Sequence, residues 1–196
     1  MGDSLTDPKS HGGKYLDYLR QHCPESTFIS FGKGADMVNQ MRRRFQSQVL
    51  APVPVAGKSH YTDVIIFGGV NDLYSDLTAH RTVEKISADL SAMYQMSRDR
   101  GIRVVAITVS PWGGFKRYHN DRRQAATLRL SEFIFEQQRQ QQVDFVVDTV
   151  PLLSCGDPEH LCPAMAKPFR DGLHFGPKGH EILGAALLKT AFQNCR

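Results

Sequence analysis

No uncharged apolar run in the sequence reaches the ~18 residues that a helical bilayer span needs, so none is expected. There is no low-complexity tract and no repeat at the period of a solenoid. Charge of one sign is scarce as well: 24 Lys and Arg stand against 20 Asp and Glu, a net charge of +4. Arg42-Arg43-Arg44 and Arg122-Arg123 are the densest basic runs. They read as solvated helix faces, because no nucleic-acid motif or interleaved aromatic platform accompanies them, so no nucleic-acid partner is expected. The four cysteines, Cys23, Cys155, Cys162 and Cys195, include no C-x-x-C pair. Cys155, His160 and Cys162 therefore make a poor zinc set.

What the sequence does hold is an ordinary globular balance, 41% apolar and 22% charged over 196 residues. That length suits one domain with a sizeable core, taken as residues 1–196. The even cysteine count permits two disulfides, Cys155 with Cys162 and Cys23 with Cys195, and equally fits four reduced thiols. The first alternative favours a secreted or periplasmic location and the second a cytoplasmic one.

Four short β-branched or aromatic runs read as buried strands: Phe28–Phe31, Asp63–Phe67, Val104–Val109 and Val143–Val147. Helical spacing of apolar residues marks Gly13–His22, a segment capped by Asp36 and running through Phe45, Arg81–Arg100, Asn120–Gln142 and Gly179–Gln193. Alternating strands and helices predict an α/β/α sandwich with a central parallel sheet. In such folds ligands sit in the loops at the carboxyl ends of the strands. Ala51–Tyr61, with Pro52 and Pro54, reads as a surface connection.

Three short stretches fall in those strand-end loops: Gly2-Asp3-Ser4-Leu5, Gly69-Val70-Asn71-Asp72 and Asp171-Gly172-Leu173-His174. Gly32-Lys33-Gly34 follows the Phe28–Phe31 run. Together they have the chemistry of acyl transfer. A serine hydroxyl is a weak nucleophile until a base takes its proton. His174 can be that base, because an imidazole with a pKa near ~6.5 titrates in the useful range. Asp171, three residues earlier, can fold back to orient the imidazole. The Ser4 and Gly34 backbone N–H groups and the Asn71 side chain can stabilise an oxyanion, each donor typically worth ~2.7–4 kcal/mol. An Asp-x-x-His spacing alone carries nothing; the order and placement of all four blocks carry the reading.

These blocks resemble those of the SGNH hydrolases, also called the GDSL lipase/esterase family. The residues matching the family's name are Ser4, Gly34, Asn71 and His174. The resemblance runs from residue 2 to the last helix. It implies a flavodoxin-like α/β/α fold and hydrolysis of a small-molecule ester or thioester without metal or organic cofactor. In that family the first block follows a central first strand. This sequence opens at the block itself, so that strand is expected to be absent from it or supplied in another way. The glycine block is loose, with Gly32 the fallback for Gly34. No G-x-S-x-G elbow occurs, which argues against the α/β-hydrolase fold.

The remaining expectations concern the walls of the site. Trp112 and Phe115, in the loop after the third strand run, and Phe169, just before Asp171, are candidate substrate-binding residues. His11 is a further cleft candidate, Asp72 reads as structural, and His180 as a packing residue. Asp148–Lys167 reads as a long, clipped loop leading to Asp171. Short-chain acyl or acetyl esters are the expected substrates of a Ser-His-Asp esterase here. The alternative is an inert small-molecule or carbohydrate binding module on the same fold.

Overall fold

A computed structural model describes residues 1–51 and 60–195 of the chain. The elements run α1 (Lys14–His22), α2 (Val38–Gln48), β1 (Asp63–Phe67), α3 (Val70–Tyr74), α4 (Val83–Arg98), β2 (Arg103–Ile107), α5 (Asp121–Arg139), β3 (Phe145–Val147), α6 (Val150–Leu153), α7 (Pro163–Ala166) and α8 (Pro177–Ala191). Among the described residues the strands form one parallel sheet in the order β1-β2-β3. The expected connection over 51–61 falls largely outside the described residues.

Alternation along the strands separates two cores. Val64, Ile66, Val104 and Ala106 pack with Met41 and Phe45 of α2, Ile86 and Leu90 of α4, and Leu130 and Ile134 of α5. Ile65, Phe67, Val105 and Ile107 face the other way, onto Tyr15, Leu16 and Leu19 of α1 and Leu183 and Leu187 of α8. A period of two along a strand produces this division, and it makes the expected three-layer sandwich.

Two expectations need correction at the sheet's other side. Phe28–Phe31 does not form a strand; it runs beside Met1-Gly2, and the only bridge it leads to among the described residues is at Gly32. Gly2 donates to Phe31 O at 3.3 Å and accepts from Lys33 N at 3.1 Å, while Met1 bonds Ile65 O at 2.8 Å and Phe67 N at 3.1 Å. Met1-Gly2 is thus a two-residue ladder between the 31–33 segment and β1, and Ser4 follows it directly. Asp36, in turn, does not cap α2. Its carboxylate accepts from Arg44 Nε at 2.7 Å. The helix start is held instead by Gln40 Oε1 on Met37 N and Asp72 Oδ2 on Val38 N, each 2.8 Å.

Other helix ends follow local chemistry. Thr82 caps α4 through Lys85 N, and Asn120 caps α5 through Arg123 N. Gly101, just past α4, has φ 67° as a helix-terminating residue should. Two disulfides are present. Cys23–Cys195 ties the end of α1 to the last residues after α8, and Cys155–Cys162 closes a short loop between α6 and α7. The Cys155 and Cys162 sulfurs are spent on each other.

Candidate active site

The chain leaves the Met1-Gly2 ladder in a tight turn. Thr6 N and Asp7 N both donate to Asp3 O, at 3.1 and 2.9 Å, and Leu5 N donates to Asp3 Oδ1 at 2.9 Å. The turn sets Ser4 at the carboxyl edge of the sheet, with 9% of its surface exposed. Asp3 is fully buried, and its Oδ2 has no partner among the described residues. Burial pushes its carboxyl up to about 7, outweighing the Leu5 N–H that pulls it down.

Before α8 the chain turns again at Gly172, whose φ of 73° suits glycine. A Cβ there would lie 2.1 Å from Gly114 C, so the position also admits a close backbone approach. This turn folds Asp171 onto the residues after it. Asp171 Oδ1 accepts from Leu173 N and His174 N, both at 2.9 Å. Asp171 Oδ2 accepts from His174 Nδ1 at 2.6 Å. A carboxylate is acceptor only, so the proton sits on Nδ1 and Nε2 is left to accept. Ser4 Oγ lies 2.9 Å from Nε2 and donates to it. Burial raises the Asp171 carboxyl, but the backbone N–H and imidazole of His174 and the Leu173 N–H outweigh it and hold the group below the usual carboxylate range. A carboxylate, an imidazole and a hydroxyl in this line can move a proton off the hydroxyl.

Gly69, at φ 118°, turns the chain from β1 into α3 and puts Asn71 on its first turn. Asn71 is 4% exposed and spends one Nδ2 proton on Asp36 O at 2.9 Å, leaving the other. Asp72 is structural, as expected. It accepts from Val38 N and, at 2.6 Å, from Arg81 Nε, while Arg81 Nη2 reaches Asp89 at 2.6 Å.

Gly34 departs from expectation. Its N–H donates to Asp7 Oδ2 at 2.9 Å and so is not offered to a ligand. The fallback, Gly32, donates to Ser30 Oγ at 3.2 Å. Between Gly34 and Asp36, Ala35 has φ 63°, and its N–H has no partner among the described residues.

The aromatic candidates divide. Trp112 is fully buried, with Nε1 donating to Thr127 Oγ1 at 3.0 Å, so it belongs to the core rather than a substrate wall. Phe115 packs against Tyr74 and Tyr118 with centroids 5.8 and 4.8 Å away, which also makes it a packing residue. Phe169 alone stands beside the site, its ring 6.0 Å from that of His174 and 6.2 Å from that of the exposed His11. His180 is 2% exposed between Tyr15 and Phe175, a packing residue as expected, and burial pulls its pKa down to about 3. The clipped loop meets the loop after β2, where Gly113 N donates to Glu159 O at 2.7 Å, and Gly114 of that loop packs on Gly172.

A family model described as GDSL-like lipase/acylhydrolase matches residues 1–182. No curated protein matches the chain. Among solved structures, a GDSL-like lipase from Bacteroides thetaiotaomicron VPI-5482 superposes with TM-score 0.78 at 20% identity, covering 100% of this chain and 87% of that one. A member of the lipolytic protein G-D-S-L family from Veillonella parvula DSM 2008 gives TM-score 0.73 at 14% identity, covering 98% and 96%. A catalytic mutant of an acetylxylan esterase from Geobacillus stearothermophilus gives TM-score 0.72 at 18% identity, covering 96% and 90%. At these identities the likeness is one of fold, while the family match spans most of the sequence. The chain belongs to the GDSL-like lipase/acylhydrolase family and is a carboxylic ester hydrolase.

Proposed function

We propose that the chain is a cofactor-independent serine esterase that cleaves short-chain acyl esters, acetyl esters above all, through an acyl-enzyme. The observation that carries this is the unbroken line from Asp171 Oδ2 through His174 to Ser4 Oγ, with contacts of 2.6 and 2.9 Å. Ser4 Oγ attacks the ester carbonyl while His174 Nε2 takes its proton. The carbonyl oxygen becomes an oxyanion, to which the Ser4 N–H and the second Asn71 Nδ2 proton can donate. Ser4 N has no partner among the described residues, which keeps it ready. His174 then gives the proton to the leaving alkoxide. Water, deprotonated by the same nitrogen, releases the acid. Asp171 orients the ring throughout.

A short acyl group is favoured by the likeness to acetylxylan esterases and by the small aromatic rim of Phe169 and His11. The contact between Ser4 and His174 weighs against the inert binding module, which needs a displaced serine. The two disulfides favour an oxidising location outside the cytoplasm. Among the described residues no helix is long and apolar enough to cross a membrane.

The test is hydrolysis of p-nitrophenyl acetate against p-nitrophenyl octanoate, with His174→Ala alongside. The acetate is expected to give the higher kcat/KM, and His174→Ala to lose nearly all of kcat. An active His174→Ala, or a preference for octanoate, contradicts the mechanism or the acyl preference respectively.

A further inference from the structure

We propose that the substrate is an anionic ester, with a negatively charged group on its alcohol portion, and that unpaired cations around the triad select it; this rests on the serine-esterase reading above. Three segments meet at Ser4 and His174: residues 4–14, 32–36 and 167–178. The first packs on the second where Asp7 Oδ2 accepts from Gly34 N at 2.9 Å. It reaches the third through His11, whose ring is 6.2 Å from that of Phe169, which is itself 6.0 Å from that of His174. Together the segments hold six Lys and Arg residues: Lys9, Lys14, Lys33, Lys167, Arg170 and Lys178. All six are exposed, and among the described residues none is in an ion pair.

The same three segments hold only three acids, Asp7, Asp36 and Asp171. Asp36 is neutralised by Arg44, whose Nε lies 2.7 Å from its Oδ2. Asp7 is held by the Lys9 and Gly34 N–H groups and the Ser10 hydroxyl, and Asp171 by His174. Six cations therefore face two carboxylates, a surplus of about four, as large as the +4 of the whole chain. Asp3, beside Ser4, offsets only part of one charge at neutral pH, because burial pushes its carboxyl up to about 7. The positive charge is thus gathered at this mouth and not spread over the molecule.

Nothing in the fold calls for these cations. Arginines that hold the fold together are paired, as Arg81 is to Asp72 and Asp89 and Arg123 to Asp76. Arg170 has no such partner among the described residues, although it stands between Phe169 and the catalytic Asp171. Lys14 and Lys178 open α1 and α8, at helix ends where acidic side chains are the stabilising choice, and α8 has no acid in its first turn. A cleft lined by charge of one sign concentrates ligands of the other. The leaving alkoxide takes its proton from His174, so the alcohol portion lies on the His174 side. Phe169, Arg170 and His11 stand there, and this places the negative group on the alcohol and leaves the acyl group short.

The test compares 4-acetoxybenzoate with its neutral counterpart, methyl 4-acetoxybenzoate. The carboxylate withdraws less from the ring than the methyl ester does, so its phenoxide is the poorer leaving group and chemistry alone favours the neutral compound. The enzyme is expected to reverse this, with kcat/KM at least about fivefold higher for the anion at ~0.01 M salt, mainly through KM. The preference should fade toward ~1 M salt, as the Debye length falls from about 30 to 3 Å. Arg170→Gln and Lys9→Gln should each lower the anion-to-neutral ratio about two- to fivefold, the neutral ester in the same variant being the reference. A ratio at or below one in the wild type overturns the proposal, and so does a ratio indifferent to salt and to both substitutions. In either case cleavage of the neutral ester leaves the serine-esterase reading standing. If the wild type cleaves neither ester, that reading falls and takes the proposal with it.

Discussion

Replacing Asp171 by asparagine separates an orienting carboxylate from a merely structural one. The asparagine side chain retains an oxygen for the Leu173 and His174 N–H groups, both 2.9 Å from Oδ1 in the wild type. The turn, and with it the fold, should persist. What changes is the 2.6 Å contact to His174 Nδ1, where an acceptor becomes an N–H₂ donor. To keep that contact the imidazole must accept at Nδ1 and carry its proton on Nε2, facing Ser4 Oγ. The ring then has no lone pair for the serine proton. A trapped wrong tautomer of this kind costs ~10⁴ in kcat, or about 5 kcal/mol of barrier. The assay is kcat and KM on p-nitrophenyl acetate with thermal melts of both proteins. The expected result is the large kcat loss with a melting temperature only a few degrees lower, since ~1 kcal/mol moves a chain of this size by about 2–4 °C. A kcat loss under about tenfold in a variant that melts normally refutes the assigned role.

Ala35→Gly relieves a positive φ of 63°, so stability should rise by about 1 kcal/mol in urea titration. Arg81→Met takes the cation from Asp72, whose side chain is 0% exposed, while Asp89 keeps Arg42 at 2.7 Å; the loss at Asp72 should cost about 3–5 kcal/mol by urea titration. Asp3 keeps its proton up to about 7 when folded, against 3.8 ordinarily. The stability of the wild type relative to Asp3→Asn should therefore be greatest below pH ~4, decline as pH rises to about 7 and then level off. A relative stability that climbs with pH would show that Asp3 is ionised in the fold.

Periodicity read well wherever it recorded burial. The unbroken apolar run in Asp63–Phe67 reflects a strand covered on both faces, and the helical spacing in α4 and α5 reflects which face is covered; hydrophobicity reports both directly. Phe28–Phe31 misled because it is as apolar as a strand, yet among the described residues the pairing there is a single bridge, between Gly32 and Gly2. Asp36 looked like a cap from its neighbours, but Arg44 two turns later takes its carboxylate. The Asp171–His174 pair was legible because a three-residue spacing and one glycine suffice to bring the side chains together. Trp112 was not, because only the fold shows Thr127 waiting for its indole N–H. The positive φ at Ala35 was invisible because the residue present is not the glycine that such a backbone suggests.

The central claim, that Ser4 is the nucleophile, is tested most directly by covalent trapping. Wild type and Ser4→Ala would be incubated with an organophosphonate, mapped by peptide mass spectrometry and assayed on p-nitrophenyl acetate. The account predicts a single adduct on Ser4 in the wild type, none in the variant, and loss of hydrolysis in both the labelled protein and Ser4→Ala. An adduct on another residue, or full activity in Ser4→Ala, would contradict it.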